Sequence, residues 1–501
     1  MKLTALSLGL ACALALLGRP LAADTARPDE DSLFGGASSA PVALSGTGTA
    51  VLSADKGGAQ GGANSDKGGL SPDTLGHDDF ANGSVKDDAL QIGGTIYQQW
   101  IADESLYESP GNSAMSMPLQ VDTYLDVRPN DRLRAYIDGR LMYDPTRNAL
   151  GNSSGGANTS NLVAGSSASV SGTSNPGVVL DQAWVNFDVV HKAFVTIGKQ
   201  HVKWGTGHIW NPTDFLSVQK LNPLQPYDLR LGNNMVKVQM PVQGMTGTNL
   251  YAIALIDNPQ PAGTVGRTGG AFRAETLVWG AEVGVDMVSR AGAAPAYGAD
   301  LSTPLGPFDV YAETALLSGQ NYPDTFFKSG PYDGTLASYY GVNLIPGPVD
   351  QSVAGITYDF PWKENRQATL GAEYFYNELG VDTAKLLPIL IYQGLYTPFY
   401  MGKNYASIYL SAQGPDEGKK TSYNLSTIAN LSDLSFVSRL DFTWVLLDYL
   451  TFGAWATAHY GTPGGELNFA LDTPAFTRPP IPAVHVLPVP VELGMSLRMS
   501  Y

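Results

Sequence analysis

In the run RLRAYIDGRLMYD, Leu133, Ala135, Ile137, Gly139, Leu141 and Tyr143 fall on one face of an extended chain, and Arg132, Arg134, Tyr136, Asp138 and Arg140 fall on the other. One face suits hydrocarbon and the other suits water. The preceding run, PLQVDTYLDV, alternates in the same way: Leu119, Val121, Thr123, Leu125 and Val127 oppose Gln120, Asp122, Tyr124 and Asp126. Only Arg128, Pro129, Asn130 and Asp131 separate the two runs, which predicts a hairpin with a tight turn.

The period of two persists from residue 89 to the end of the chain. It predicts strands at 89–102, 117–128, 132–143, 179–189, 194–203, 234–241, 248–256, 271–277, 281–289, 296–303, 308–317, 351–360, 368–377, 404–412, 422–430, 435–445, 449–460 and 489–501. The run 271–289 also reads as one long strand, and the connection 413–421 is the other weak boundary. Connections alternate in length. Short ones fall at 128–131, 190–193, 241–247, 278–280, 304–307, 361–367 and 446–448, whereas 144–177, 204–233, 318–350, 379–403 and 461–488 are long. Short turns on one side and long loops on the other are the pattern of an outer-membrane barrel. The expected fold class is therefore all-β: a transmembrane antiparallel up-and-down β-barrel of about 18 strands, with about 16 as the alternative count. A soluble β-protein would have to bury the charged face of every strand, which a closed core of this size does not absorb.

The ends of the chain fit that expectation. Residues 1–23 begin with Lys2, run apolar from Leu3 to Leu17 and close on Ala22 and Ala23, as a secretory signal does. Cys12, the single cysteine, lies within that run; a lipoprotein reading of it is the minor alternative, and the mature chain is expected to carry no disulfide or cysteine-based metal site. Residues 24–88 repeat Asp-Lys-Gly-Gly and hold almost nothing that makes a core, which predicts a disordered periplasmic leader. Asp29 to Gly36, with Leu33 and Phe34, is its one candidate anchor for a partner. The barrel is assigned residues 89–501. No segment supplies the roughly 20 consecutive apolar residues of a spanning helix. Charged residues make up 15% of the chain, with 25 Tyr, 56 Gly and a net charge of −16, a balance that also argues against nucleic acid as a partner.

The final run, VELGMSLRMSY, alternates through Val491, Leu493, Met495, Leu497, Met499 and Tyr501 and ends on an aromatic. It resembles the C-terminal signature that the barrel-assembly machinery reads, with Leu497, Met499 and Tyr501 as the signal residues. Together with the strand count, the resemblance to bacterial porin-type barrels covers residues 89–501. It implies an outer-membrane location in a Gram-negative-type bacterium, contact with lipid and lipopolysaccharide, and compatibility with a homo-oligomer.

One short run, KQHVKWGTGHIWNPTDF (199–215), concentrates residue types that suggest chemistry. On the strand map, Lys199, His201 and Lys203 belong to the polar face of the fifth strand, and an outer loop begins at Trp204. Gly205 and Gly207 permit bends, and Asn211-Pro212 opens a turn with Asp214 able to accept a backbone donor. With Trp204, His208 and Trp210, these residues predict a loop that packs at the mouth or into the lumen and narrows it. Its Gly-Lys-Gln, Trp-Gly-x-Gly and Trp-Asn-Pro-Thr-Asp elements resemble those of a family of outer-membrane barrels of undefined substrate. A metal site would need His201, His208 and Asp214, which no local spacing brings together. GNSSG (151–155) matches a nucleophile-elbow pattern but lacks the strand and helix that such a turn joins. The expectation is no catalytic residue, no metal and no cofactor.

The lumen-facing charges separate along the chain. Arg132, Arg134, Arg140, Lys199, His201, Lys203, Lys237 and Arg273 form a basic arc, and Glu282, Asp286, Asp300, Asp309, Glu313 and Glu373 an acidic one. A transverse field would orient polar solutes. Equally, Asp122, Asp126, Asp138, Asp181 and Asp188 stand close enough along the chain to pair with the arginines locally. The expected function is a porin-like channel for passive diffusion of small hydrophilic solutes or ions. The leader is too short and polar to form the plug of an energised transporter. The alternative is a structural barrel that holds a partner, such as a sleeve for a periplasmic electron carrier or an assembly subunit.

Overall fold

The computed structural model describes residues 89–501 except 105–113, 131, 147–174, 191, 218–219, 226–227, 229, 243, 246, 257–267, 292, 320, 329, 332, 364–365, 393–394, 417, 419, 478–479, 482 and 487. The expected signal, the leader and the GNSSG run lie outside the described residues.

Eighteen long strands form one ring: β1 (Leu90–Glu104), β2 (Leu119–Asn130), β3 (Leu133–Tyr143), β4 (Gly177–Val189), β5 (Ala193–Gln200), β6 (Asn233–Pro241), β7 (Asn249–Ile256), β8 (Thr268–Val278), β9 (Ala281–Arg290), β10 (Ala296–Leu305), β11 (Phe308–Leu317), β12 (Val349–Lys363), β13 (Arg366–Asn377), β14 (Asn404–Gln413), β15 (Thr421–Asn430), β16 (Ser435–Leu447), β17 (Leu450–Gly461) and β18 (Val491–Ser500). Every strand pairs antiparallel with its neighbour in sequence. The ring closes where β1 pairs with β18, Thr95 opposite Ser500 through Glu104 opposite Val491. A closed ring leaves no sheet edge unpaired. A short piece, Ala114–Ser116, continues the pairing along the end of β1.

Residues 271–289 form two strands, β8 and β9. Trp279 and Gly280 both take positive φ, 52° and 86°, the backbone of a two-residue hairpin turn. The sequence masks this turn because tryptophan is an unusual occupant of that conformation.

One rim carries both described chain ends and only short connections; the other carries the long ones, with the short turns 291–295 and 431–434 among them. On the outside of the ring, Ile137, Leu180, Ile197, Phe272, Ile408, Leu425, Leu440 and Leu493 are exposed. Their neighbours along each strand point inward and are mostly polar, aromatic or small, as the alternating burial of β3 and β13 records. Several inner-wall glycines receive a ring from the adjacent strand: Tyr124 on Gly93, Tyr311 on Gly355, Tyr409 on Gly371 and Trp455 on Gly494. Such pairs cover the thin places of a curved sheet.

Candidate functional site

The long connection 201–232 leaves β5 and crosses the interior to the opposite wall. Two glutamates there receive its backbone. Glu313 on β11 accepts from the N–H groups of Thr206 (2.7 Å), Gly207 (3.0 Å) and Thr213 (3.3 Å). Glu373 on β13 accepts from His208 (2.9 Å), Ile209 (3.2 Å) and Trp210 (2.8 Å), and from the Tyr311 hydroxyl (2.6 Å). Successive backbone N–H groups turned to one side make an anion nest, here filled by a carboxylate of the same chain.

The glycines follow from that nest. Gly205 has φ +94°, and a Cβ on it would overlap the Asn211, Thr213 and Glu313 side chains; a Cβ on Gly207 would overlap the Trp210 carbonyl. Pro212 and Thr213 form the turn that returns the chain. Trp210 is fully buried, donates to the Phe399 carbonyl (2.9 Å) and stacks on Phe375 with centroids 5.7 Å apart. His208 lies flat on Tyr311 at 4.4 Å and meets the Tyr409 hydroxyl through Nδ1 (2.9 Å). Trp204 packs with Val202, Leu216, Met235, Ile253 and Leu255 at the near end of the crossing. Asp214 is held by Arg230 (2.7 Å).

Two further connections of the same rim enter the interior, which the pattern of the chain did not reveal. Phe399 and Tyr400 come from 378–403 and Leu467 from 462–490, and they share one apolar cluster with Ile209, Trp210, Phe375, Tyr405 and Tyr409. The signal for them was present in ELNFA (466–470), where the apolar Leu467 and Phe469 alternate with Glu466 and Asn468 just after Gly464 and Gly465.

The charged wall differs from two opposed arcs. Arg134 grips Asp126 with two bonds of 2.9 Å. Arg140 lies between Asp122 (3.0 Å) and Asp181 (2.9 Å), and Arg132 meets Asp188 (2.5 Å). Arg273 binds Asp300 (2.7 Å), Asp286 (3.2 Å) and Glu275 (3.3 Å), beneath the ring of Trp204. Opposite charges at neighbouring register positions find each other first, and the field across the lumen is reduced accordingly. Glu313 and Glu373 are 3% exposed and lie under the crossing loop, so they present no open carboxylate to a solute. Glu282 is exposed, Asp309 is half-buried, and Lys237 is buried opposite Thr196.

Lys199 requires a correction. Thr196 pairs with Asn186 and Lys237 on the inner face, so Val195, Ile197 and Lys199 share the outer one, and the Lys199 ammonium turns to the Leu180 carbonyl. The apolar Phe194, which faces inward, disguised the parity. β5 ends at Gln200, and the chain then turns His201 onto Asp181 (2.8 Å), with Lys203 exposed. His201, His208 and Asp214 have three separate partners and form no common site.

At the chain end, Met499 and Tyr501 are exposed on the outer face and Leu497 is half-buried. Tyr501 exchanges backbone hydrogen bonds of 3.0 Å with Gly94.

No family model matches the chain, and no curated protein does. Among solved structures it is similar to OccAB1 of Acinetobacter baumannii, at 8% identity over 84% of this chain and 99% of that one, with a TM-score of 0.46. OprB of Pseudomonas putida matches at 10% identity over 82% and 94%, with a TM-score of 0.43. A triple mutant of the Rhodopseudomonas blastica porin matches at 9% identity over 82% and 100%, with a TM-score of 0.37.

Proposed function

We propose that the chain is an outer-membrane channel for the passive diffusion of small hydrophilic solutes or ions. The observation that carries this reading is the closed ring of eighteen strands with an apolar outside and a polar inside. Closure satisfies every ladder hydrogen bond, which is the condition for strands to cross hydrocarbon. A ring of this size encloses more space than its own side chains fill. The long connections then belong to the cell exterior, the short turns to the periplasm, and Leu497, Met499 and Tyr501 to recognition by the assembly machinery.

Passage is restricted by the loop 201–232, whose glutamate-held backbone divides the interior. The paired arginines and aspartates give the remaining wall a polar surface with little net field, suited to hydrated solutes rather than to one tightly held ligand. Purified protein in a planar bilayer is expected to give discrete conductance steps in salt solution. Folded protein that inserts and stays silent would overturn the reading.

A further inference from the structure

The inward-folded connections cover two arcs of the ring. Val202, Trp204 and Leu216 of the crossing loop bury an aliphatic inward side chain on each strand from β6 (Met235) to β9 (Val288). Further round, the same loop and connections 378–403 and 462–490 bury at least one apolar or aromatic inward side chain on each strand from β11 (Tyr311) to β16 (Val437). Connection 462–490 is fixed there by Glu466, whose carboxylate accepts from the Phe399 N–H (2.6 Å), Asn430 Nδ2 (2.8 Å) and the Tyr405 hydroxyl. The arc formed by β18, β1, β2 and β3 is built differently. Among the described residues it contributes nothing to either cluster. Its inward row is hydrophilic: Ser496 lies opposite Gln99, Tyr97 opposite Gln120, and Asp122 opposite Arg140.

We propose that solutes pass along the arc from β18 to β3, and that Gln99 and Gln120 are the side chains they touch there, as contacts for small, uncharged, hydroxylated solutes. The proposal rests on the channel reading and adds the path and the contact residues to it.

Hydrated solutes enter the covered arcs only by parting apolar side chains that are packed to the exclusion of water. A row of amides, hydroxyls and ion pairs, by contrast, suits a wall that stays wet, because polar groups lose free energy in a dry one unless every bond is made. Gln99 and Gln120 are half-buried, and each spends one N–H within the wall: Gln99 Nε2 donates to the Tyr97 hydroxyl (2.9 Å) and Gln120 Nε2 to Asp122 (2.6 Å). The Oε1 atom of each takes no bond among the described residues. An amide both donates and accepts, so the pair exchanges hydrogen bonds with water and with hydroxyl groups alike. The charges beside them are already matched, Arg140 with Asp122 (3.0 Å) and Asp181 (2.9 Å). Selection at this point therefore rests on size and hydrogen bonding more than on charge.

The test uses the full chain in a Cys12→Ser background, with single cysteines on the path (Gln99→Cys, Gln120→Cys) and in the covered arcs (Ala271→Cys, Ser407→Cys), where Ala271 is 6% and Ser407 7% exposed. A cationic, membrane-impermeant thiol reagent is added during conductance recording in a planar bilayer, and its attachment is followed by mass. Gln99→Cys and Gln120→Cys should react, lose conductance several-fold and turn the reversal potential towards anions, while Ala271→Cys and Ser407→Cys stay unmodified. Reaction and block at either covered position, or reaction at Gln99→Cys and Gln120→Cys that leaves the current unchanged, would overturn the path. Gln99→Leu with Gln120→Leu keeps the volume and removes both amides. Entry of sorbitol into liposomes should slow several-fold relative to salt conductance, and an unchanged ratio would overturn the contact role. A barrel that inserts and stays silent, with Gln99→Cys and Gln120→Cys labelled and the other two not, would support the open wall and overturn the channel reading instead.

Discussion

Glu313 and Glu373 each collect three backbone N–H groups from a segment a hundred or more residues distant, and those bonds decide where the crossing loop lies. Hydrogen bonds to a charged acceptor contribute about 1.5–3 kcal/mol each. Glu373→Gln keeps one carbonyl oxygen but turns an NH2 group toward donors, so it should loosen the loop by about 2–3 kcal/mol. The expected readout is faster tryptic cleavage at Lys220 and Arg230 in an otherwise folded barrel; wild-type resistance would show that apolar packing of Trp210 alone holds the loop. Arg140 gives the contrasting case, a buried cation between Asp122 and Asp181. Arg140→Met leaves two buried carboxylates without their counter-ion, and breaking a buried pair costs about 3–5 kcal/mol. The temperature at which the barrel loses its heat-resistant, compact migration should fall, and an unaltered temperature would mean that water replaces the guanidinium.

At the scale of the element, β18 joins β17 to β1 and so closes the ring, and its inner face is held by one tryptophan. Trp455 lies on Gly494 and donates through Nε1 to Glu492 (2.9 Å), with the Arg439 guanidinium 4.8 Å above its ring. Gly494→Val would occupy the ground on which that ring rests, and overpacking of this kind costs about 1–3 kcal/mol. Assembly into membranes should slow, and indole fluorescence should shift to the red as Trp455 moves into water; an unchanged spectrum would show that the wall absorbs the side chain. The existence of the eighteen ring strands was legible, because alternation is a property of neighbouring residues and needs no partner, whereas the hairpin Asn321–Phe327 with Tyr340–Pro346 lies in a segment that reads as loop. Facing was less secure. In β5 the inward Phe194 and outward Lys199 each violate the simple rule of polar side chains inward, and only the register against Asn186 and Lys237 identifies the faces.

For the whole molecule, a net charge of −16 and arginines already paired along the wall favour a weak preference for cations. Replacing Arg132, Arg134 and Arg140 together with glutamine should strengthen that preference, measured as a reversal potential in a salt gradient, and should also weaken the fold through the carboxylates left behind. Arg132→Gln alone, with a side chain 52% exposed, should move the potential slightly and at a smaller folding cost, since Asp188 alone loses its guanidinium. A potential unmoved by the triple change would mean that solutes never sense this wall. The sequence by itself determined the strand order, the rim on which the long connections lie, and the two solvents that the faces of the sheet require. These are local quantities: a period of two, a glycine at a turn, a run of polar residues between strands. The tertiary structure alone decided what occupies the lumen. Glu313, Glu373 and Glu466 look in the sequence like any other acidic residues of a wall or loop. They hold backbone donors because closing the ring places residues 206–213, 399, 405 and 466 within a few ångströms of groups remote in the chain, a proximity set by curvature and register that no local pattern encodes.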